Sequence, residues 1–283
     1  MRMKNRGLSL PVLYSLVQLT YWLGGCVCVG FAAAFLQGKG VNNTTIGMVS
    51  AASSAIGFIL MTAVSEWIDR KGADAIYRAI FLSVAVQTCL FVGLMLADQN
   101  IFLLGALYSL YLALSFVLSA LVSKLYLDLA KGGERINFGV ARSLGSCGYG
   151  LGSIVLGMIM ARTHSFSLLL IGHAFFIILA ILCNEIRKKG IRPISDSAPA
   201  EKDTGSVSSF LSMLRAFPLF LLLVIGVATV SGANRTVTLF LVNIVQNVGG
   251  DVEHFGVVNG YLALLEVPVI FLFSWFRDVC CRI

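Results

Sequence analysis

The sequence is dominated by apolar segments of about 20 residues or more, separated by connections that hold most of the charged side chains. An α-helix of this length crosses the hydrocarbon core of a bilayer. Eight membrane-spanning helices are predicted. The fifth of them along the chain holds Arg142 and ends near Ala161, and the other seven lie at about 8–36, 46–67, 75–96, 101–129, 166–186, 217–246 and 255–276. Because the core offers no water to bond backbone groups, we expect an all-α integral membrane protein.

The composition supports this fold class and excludes others. Hydrophobic residues make up 58% of the chain and charged residues 12%, against about 25% charged residues in soluble domains. The net charge of +7 does not indicate nucleic-acid binding, because the basic residues fall between the apolar segments and not on one face. No nucleophile, metal or phosphate-binding pattern accompanies the polar residues, so we expect neither an enzyme nor a cofactor or metal.

The basic residues indicate the orientation of the chain. They lie mainly in the N-terminus, in the second-third, fourth-fifth and sixth-seventh connections, and in the C-terminus. The opposite connections contain only Lys39 and Arg162. The positive-inside rule therefore predicts a multi-pass protein of the cell (plasma) membrane with a cytoplasmic N-terminus.

A polar stretch after the sixth span divides the chain. Residues 187–209 are rich in charge, Pro, Ser and Gly, which is typical of a flexible linker. We predict an N-terminal six-helix transmembrane bundle at 1–187, a cytoplasmic linker at 188–210, and a partial C-terminal bundle of two helices at 211–283. The sequence of the second span also aligns with that of the eighth without a gap, as expected for a transporter built from parallel halves. In this alignment Gly57 falls at the position of Glu266.

The fifth span holds a lone arginine, Arg142, in a glycine-rich apolar helix. A guanidinium inside a bilayer is costly and normally serves a transport pathway or a partner. Gly145, Tyr149 and Gly152 follow at helical spacing, so this face is predicted to be the wall of a polar cavity. The alternative for the glycines, including Gly148, is that they only permit close contact between helices.

Three further residues within predicted spans are candidates for specific roles. Lys124 either forms an interfacial ion pair with Asp128, one turn away, or adds a second cation to the cavity of Arg142, which would favour an anionic solute. Glu266 is predicted to be a carboxylate that pairs with Arg142, although it could instead bond backbone groups freed by a kink at Pro268. His173 is predicted to be a hydrogen-bonded interior residue.

Two motifs resemble a known family. SEWIDRKG at 65–72 resembles the gate motif between the second and third helices of the major facilitator superfamily, with Asp69, Arg70 and Gly72 in place. NFGVARSLGSCGYGLGSIVLG at 137–157 is similar to the fifth helix of the lactose permease and of its oligosaccharide:proton symporter and phenylpropionate permease relatives.

This resemblance implies roles for individual residues. Arg142 and Tyr149 match an arginine that binds substrate and an aromatic residue that stacks on it. Glu266, in LLEVP, matches a glutamate of the substrate and proton site. Lys124 falls where lactose permease carries an acidic residue late in its fourth helix, so we take it as a further substrate-binding candidate.

The resemblance implies a major facilitator fold and proton-coupled symport of a small organic solute, of sugar or oligosaccharide, nucleoside or aromatic-acid type, by alternating access. We expect a monomer whose partners are the solute, the proton and the lipid bilayer. The last four helices of a twelve-helix permease are not in the sequence, so a chain truncated after its eighth helix is expected. The alternative is a non-transporting permease fragment, or a membrane sensor or assembly subunit with a permease fold.

Overall fold

The computed structural model describes residues 8–72, 74–97, 100–163, 169–189 and 217–280, and only the backbone at 169, 170, 271 and 273–280. The described part contains α-helices and one π-helical turn, and no strand. The predicted linker lies outside the described residues from position 190 onward. The division into two bundles therefore stays a prediction.

The helices follow the predicted spans closely. They are α1 (Leu10–Gly25), a π-helical turn (Cys26–Gly30), α2 (Ala32–Gly38), α3 (Asn43–Lys71), α4 (Ala75–Leu96), α5 (Ile101–Lys131), α6 (Phe138–Thr163), α7 (Leu169–Lys188), α8 (Pro218–Leu239), α9 (Leu241–Asn247) and α10 (Val252–Cys280). In the described part, six segments are long and apolar enough to cross a membrane: Leu10–Gly38, α3, α4, α5, α6 and α8. The helices α7 and α10 occupy the sixth and eighth predicted spans.

Three spans differ from their predictions in detail. The first contains the π-helical turn, and the seventh is divided at Phe240 into α8 and α9. The second runs further than predicted, so Asp69 and Arg70 belong to the last turn of α3 and not to a connecting turn. The chain leaves α3 at Gly72, whose φ of 82° favours glycine.

Side-chain caps fix where several helices begin. The amide oxygens of Asn42 and Asn100 accept hydrogen bonds from the backbone N–H groups of Thr45 and Leu103, at 2.8 Å and 3.1 Å. At the start of α10, the Asp251 carboxylate accepts from the backbone N–H of His254 at 3.0 Å. This bond lowers the pKa of Asp251, which lies outside the span, because it stabilises the charged form.

Helix α6 packs on α1 with one face and on α10 with another, and glycines line both contacts. A β-carbon at Gly148 would collide with Leu19 of α1. A β-carbon at Gly157 would lie 2.9 Å from the Cα atom of Gly256 in α10. Lipid supplies no hydrophobic force between helices, so such close backbone approach is a main source of attraction. The predicted alternative for the glycines is confirmed.

The remaining contacts hold the first seven helices together. α3 packs on α5, α4 packs on α5 and α7, and α1 packs on α7. By contrast, none of the residues of α8 is buried. The face of α8 that points toward the other helices borders a cavity, described next.

Candidate functional site

The Arg142 side chain of α6 meets Glu266 of α10 across the interface between the two helices. The guanidinium Nη2 lies 3.1 Å from the carboxylate Oε2 of Glu266. Ser146, one turn after Arg142, accepts a hydrogen bond from Arg142 and donates one to the same carboxylate oxygen at 3.1 Å. The ion pair predicted between Arg142 and Glu266 is therefore present, and a hydroxyl group bridges it.

Residues of α1 hold the guanidinium in place. The Cζ atom of Arg142 lies 3.9 Å from the centre of the Trp22 ring, which is a cation–π contact. The indole N–H of Trp22 donates to Gln18 at 3.2 Å, and the Gln18 amide donates to the Tyr14 hydroxyl at 2.7 Å. Tyr14 in turn bonds the backbone of α5 at Val122, 3.2 Å away. Contacts from three helices thus fix the position of Arg142.

Two cavities border this cluster. The inner cavity, of about 530 Å³, lies between α1, α5, α6, α8 and α10 and is lined by residues that include Trp22, Phe116, Tyr149, Arg235, Asn259 and Glu266. The outer cavity, of about 1200 Å³, lies beside the start of α6 and is lined by residues that include Tyr126, Arg135, Arg142, Leu262 and Glu266. Glu266 lines both cavities, so the ion pair stands at the boundary between them.

The acid is more exposed than the base. The Glu266 side chain keeps 53% of its exposure, whereas Arg142 keeps 21%. Glu266 is therefore bonded to the protein on one side and open to both cavities on the other.

Tyr149 lines the inner cavity, and its ring meets Trp22 edge to face at a centroid distance of 6.1 Å. Its hydroxyl accepts a hydrogen bond from the Asn259 amide at 3.3 Å, and the same amide donates to Ser153 at 3.0 Å. The hydroxyl fits only because Gly30, at the end of the π-helical turn, has no side chain. Irregular helix turns of this kind occur often at functional sites.

The predicted cavity face of α6 is only partly correct. Arg142 lines the outer cavity and Tyr149 the inner one, but Gly145 and Gly152 pack against α1. A β-carbon at Gly145 would collide with the Trp22 ring, so this glycine makes room for the residue that supports Arg142. Ser146 belongs to the site although the predicted face did not include it.

Lys124 does not join this cluster, and it lines neither cavity. Its Nζ atom lies 3.2 Å from Asp69 at the end of α3. The expectation that Lys124 shares a cavity with Arg142 is not met, because the carboxylate of another helix attracts it instead. Two residues of the predicted gate motif form ion pairs: Asp69 with Lys124, and Arg70 with Glu66. The third, Gly72, ends the helix.

Asn259 and Arg235 are among the residues of the inner cavity that were not predicted as site residues. Asn259 of α10 bonds Tyr149, and Arg235 of α8 lies with its Cζ atom 4.9 Å from the centre of the Phe116 ring. Arg235 carries the signal that identified Arg142, a guanidinium within an apolar span. Among the residues with described side chains, no group of three His, Cys, Asp or Glu could hold a metal ion.

In an all-α membrane protein, an internal ion pair beside a polar cavity marks a candidate functional site, and membrane transporters are one class that is built in this way. The model of the MFS_1 like family matches residues 18–281, and the chain belongs to this family. It is therefore a multi-pass membrane protein with the major facilitator fold. No curated protein matches the chain, and no solved structure does.

Proposed function

We propose that the protein is a proton-coupled symporter of the cell membrane that imports a small organic solute by alternating access. Glu266 carries the proton, and Arg142 is its counter-charge. Tyr149 and Trp22 contact the solute in the inner cavity. The observation that carries this proposal is the Arg142–Glu266 ion pair at the boundary between two cavities.

The chemistry of coupling follows from the surroundings of Glu266. In the structure the Glu266 carboxylate contacts the Arg142 guanidinium, which belongs to another helix. If α10 moves relative to α6, this contact is lost, and a proton can replace the cation as the partner of the carboxylate. A conformational cycle that makes and breaks the contact therefore exchanges one partner of Glu266 for the other.

The inner cavity suits a small solute. Its volume of about 530 Å³ lies within the range of small-molecule sites. Its lining joins the rings of Trp22 and Tyr149 to amide and hydroxyl groups, such as those of Asn234 and Ser119. These groups support a solute with both apolar and polar faces, in keeping with the sugar, nucleoside and aromatic-acid classes of the resembling permeases.

The test uses the protein reconstituted in lipid vesicles with radiolabelled sugars, nucleosides and aromatic acids. Under an inward proton gradient, we expect Glu266→Gln to lose uphill accumulation while it still exchanges solute across the membrane. The control is Glu253→Gln, an exposed residue in the first turn of the same helix, which we expect to behave as the unmodified protein.

Normal proton-driven accumulation by Glu266→Gln would refute the assignment of the proton site. Saturable solute binding by the unmodified protein with no movement across the membrane would instead indicate a sensor or assembly subunit.

The orientation can be tested separately with single cysteines in a cysteine-free background. An impermeant thiol reagent applied to whole cells is expected to label Val248→Cys, in the connection before α10, and not Lys71→Cys, at the end of α3. The reverse pattern would overturn the cytoplasmic placement of the N-terminus.

A further inference from the structure

The inner cavity holds an arginine that the coupling site does not use. Arg235 lies in α8 and lines the same cavity as Glu266, and its guanidinium lies over the Phe116 ring of α5. Within the described ranges, it forms no hydrogen bond with a side chain, and no carboxylate lies within 4.0 Å of it. Its five N–H donors are therefore available to a ligand.

The two arginines near this cavity differ in this respect. Arg142 bonds Ser146 and Glu266, and its face is covered by Trp22. Glu266 already has that partner, so its negative charge does not neutralise Arg235. Arg142 lines only the outer cavity, but it pairs with Glu266, so these three charges of the described residues sum to one positive charge, on Arg235.

Arg235 lies within the seventh span, away from both of its ends. It lies about 25 Å along α8 from Pro218, at 1.5 Å per residue, and α9 continues the span on its other side. At that depth a charged side chain normally faces a water-filled cavity and pairs with an opposite charge. The helix places it on the cavity, so the partner is to be sought there.

The chemistry of the guanidinium selects the ligand. Its planar fork of donors binds a carboxylate through two parallel hydrogen bonds. One positive charge is balanced by a monoanion, whereas a phosphate dianion would leave one negative charge without a partner. Beside Arg235, the rings of Phe116 and Tyr21 and the side chains of Leu112 and Leu239 offer an apolar surface.

We propose that the inner cavity binds a small organic carboxylate with an apolar or aromatic body, and that Arg235 binds its carboxylate group. The proposal rests on the proposed symport function and adds the substrate class to it. Glu266 then carries the proton with Arg142 as its counter-charge, while Arg235 selects a negatively charged solute.

The test measures binding of radiolabelled benzoate to the purified full chain, with competition by benzamide and by benzylamine. These three probes share a ring and differ in charge. We expect saturable binding of benzoate, with benzamide and benzylammonium weaker by at least about thirtyfold, the loss for a removed partner of a close charge pair. Arg235→Gln is expected to weaken benzoate by a similar factor, and Arg235→Lys, which keeps the charge, by less.

Arg162→Gln is the matched control, because it removes one positive charge from the last turn of α6, away from both cavities. It is expected to leave benzoate binding unchanged. Because α8 buries none of its residues, Arg235→Gln should fold, and its thermal unfolding is recorded to verify this.

Equal binding of benzamide and benzoate, or full benzoate binding by folded Arg235→Gln, would overturn the proposal. Binding of none of the three probes would overturn it as well. Proton-driven uptake that depends on Glu266 would still support symport in those cases. Selective benzoate binding without such uptake would support the site and contradict the symporter.

Discussion

His173 and Arg142 each stand alone as an ionisable residue in an apolar stretch of helix, yet their surroundings differ. His173 of α7 is 3% exposed, and both ring nitrogens are bonded, to the Thr88 hydroxyl at 2.9 Å and to the Tyr111 hydroxyl at 3.2 Å. Its ring stacks on Phe91 at a centroid distance of 4.8 Å. His173 lines neither the inner nor the outer cavity.

Arg142 is also bonded, but its partner Glu266 is half exposed and borders two cavities, and the guanidinium of Arg235 lines the inner one. The difference is one of access. Where polar groups satisfy one another in a closed interior, they join helices, and the result is stability. Where charges border a cavity, they can change partners, which is what the proposed proton site requires.

The largest expected effect concerns Arg142. Arg142→Ala leaves Glu266 without its cation and removes the contact with Trp22, so solute binding is expected to fall by about thirtyfold or more. Radioligand binding measures the loss. Arg162→Ala, on the same helix and outside both cavities, should bind as the unmodified protein does, and equal binding by both variants would remove Arg142 from the site.

A second prediction concerns the contact that brings the pair together. Gly256→Val places a branched side chain against the backbone of α6, where a β-carbon would already lie 2.7 Å from the Cα of Gly157. We expect a loss of about 1–3 kcal/mol in the free energy of unfolding, as for other overpacked interiors. Gly226→Val is the control, because no atom lies within 4 Å of a β-carbon there. Equal unfolding of the two variants in detergent would contradict the close α6–α10 contact.

A third prediction concerns the closed cluster. His173→Leu leaves the hydroxyls of Thr88 and Tyr111 without their partner, at a cost of about 1–3 kcal/mol in unfolding free energy. Solute binding by the folded protein is expected to be unchanged, because His173 borders neither cavity. A large drop in affinity at unchanged stability would break the distinction between the two clusters.

The smallest effect is expected at Lys124. Its pair with Asp69 is partly exposed, at 33% and 65% of the two side chains, so Lys124→Gln should change unfolding free energy by less than about 1 kcal/mol. Solute binding should not change. A strong loss of binding would return Lys124 to the substrate site, and restoration of that loss by exchanging Lys124 and Asp69 would place the pair in the binding pathway.

The spans were predictable because the bilayer imposes both their length and their apolar character. The local breaks were not. The division at Phe240 and the π-helical turn before Phe31 depend on how neighbouring helices pack, and neither has a proline or a charge to mark it. The extension of α3 through Asp69 was missed because charged residues suggest a loop, although they also suit the last turn of a helix, which only Gly72 ends.

The site was predictable where a charge stood in an apolar span, as with Arg142 and Glu266. Lys124 was placed wrongly because sequence spacing describes neighbours on one helix, and its partner, Asp69, comes from another. Gly145 was assigned to the cavity by spacing, but the side of α6 that it occupies is set by the Trp22 ring. Arg235, like Arg142, is an arginine within an apolar span. Its position beside Phe116 depends on how α5 and α8 are arranged, which the sequence does not give.

The most direct test of the account asks whether Glu266 carries the proton. Infrared difference spectra of the protein in lipid, recorded between high and low pH, report the stretching band of a protonated carboxyl group. The account predicts a band in the unmodified protein and in Glu253→Gln that Glu266→Gln lacks. An identical band in all three proteins would contradict the central role of Glu266.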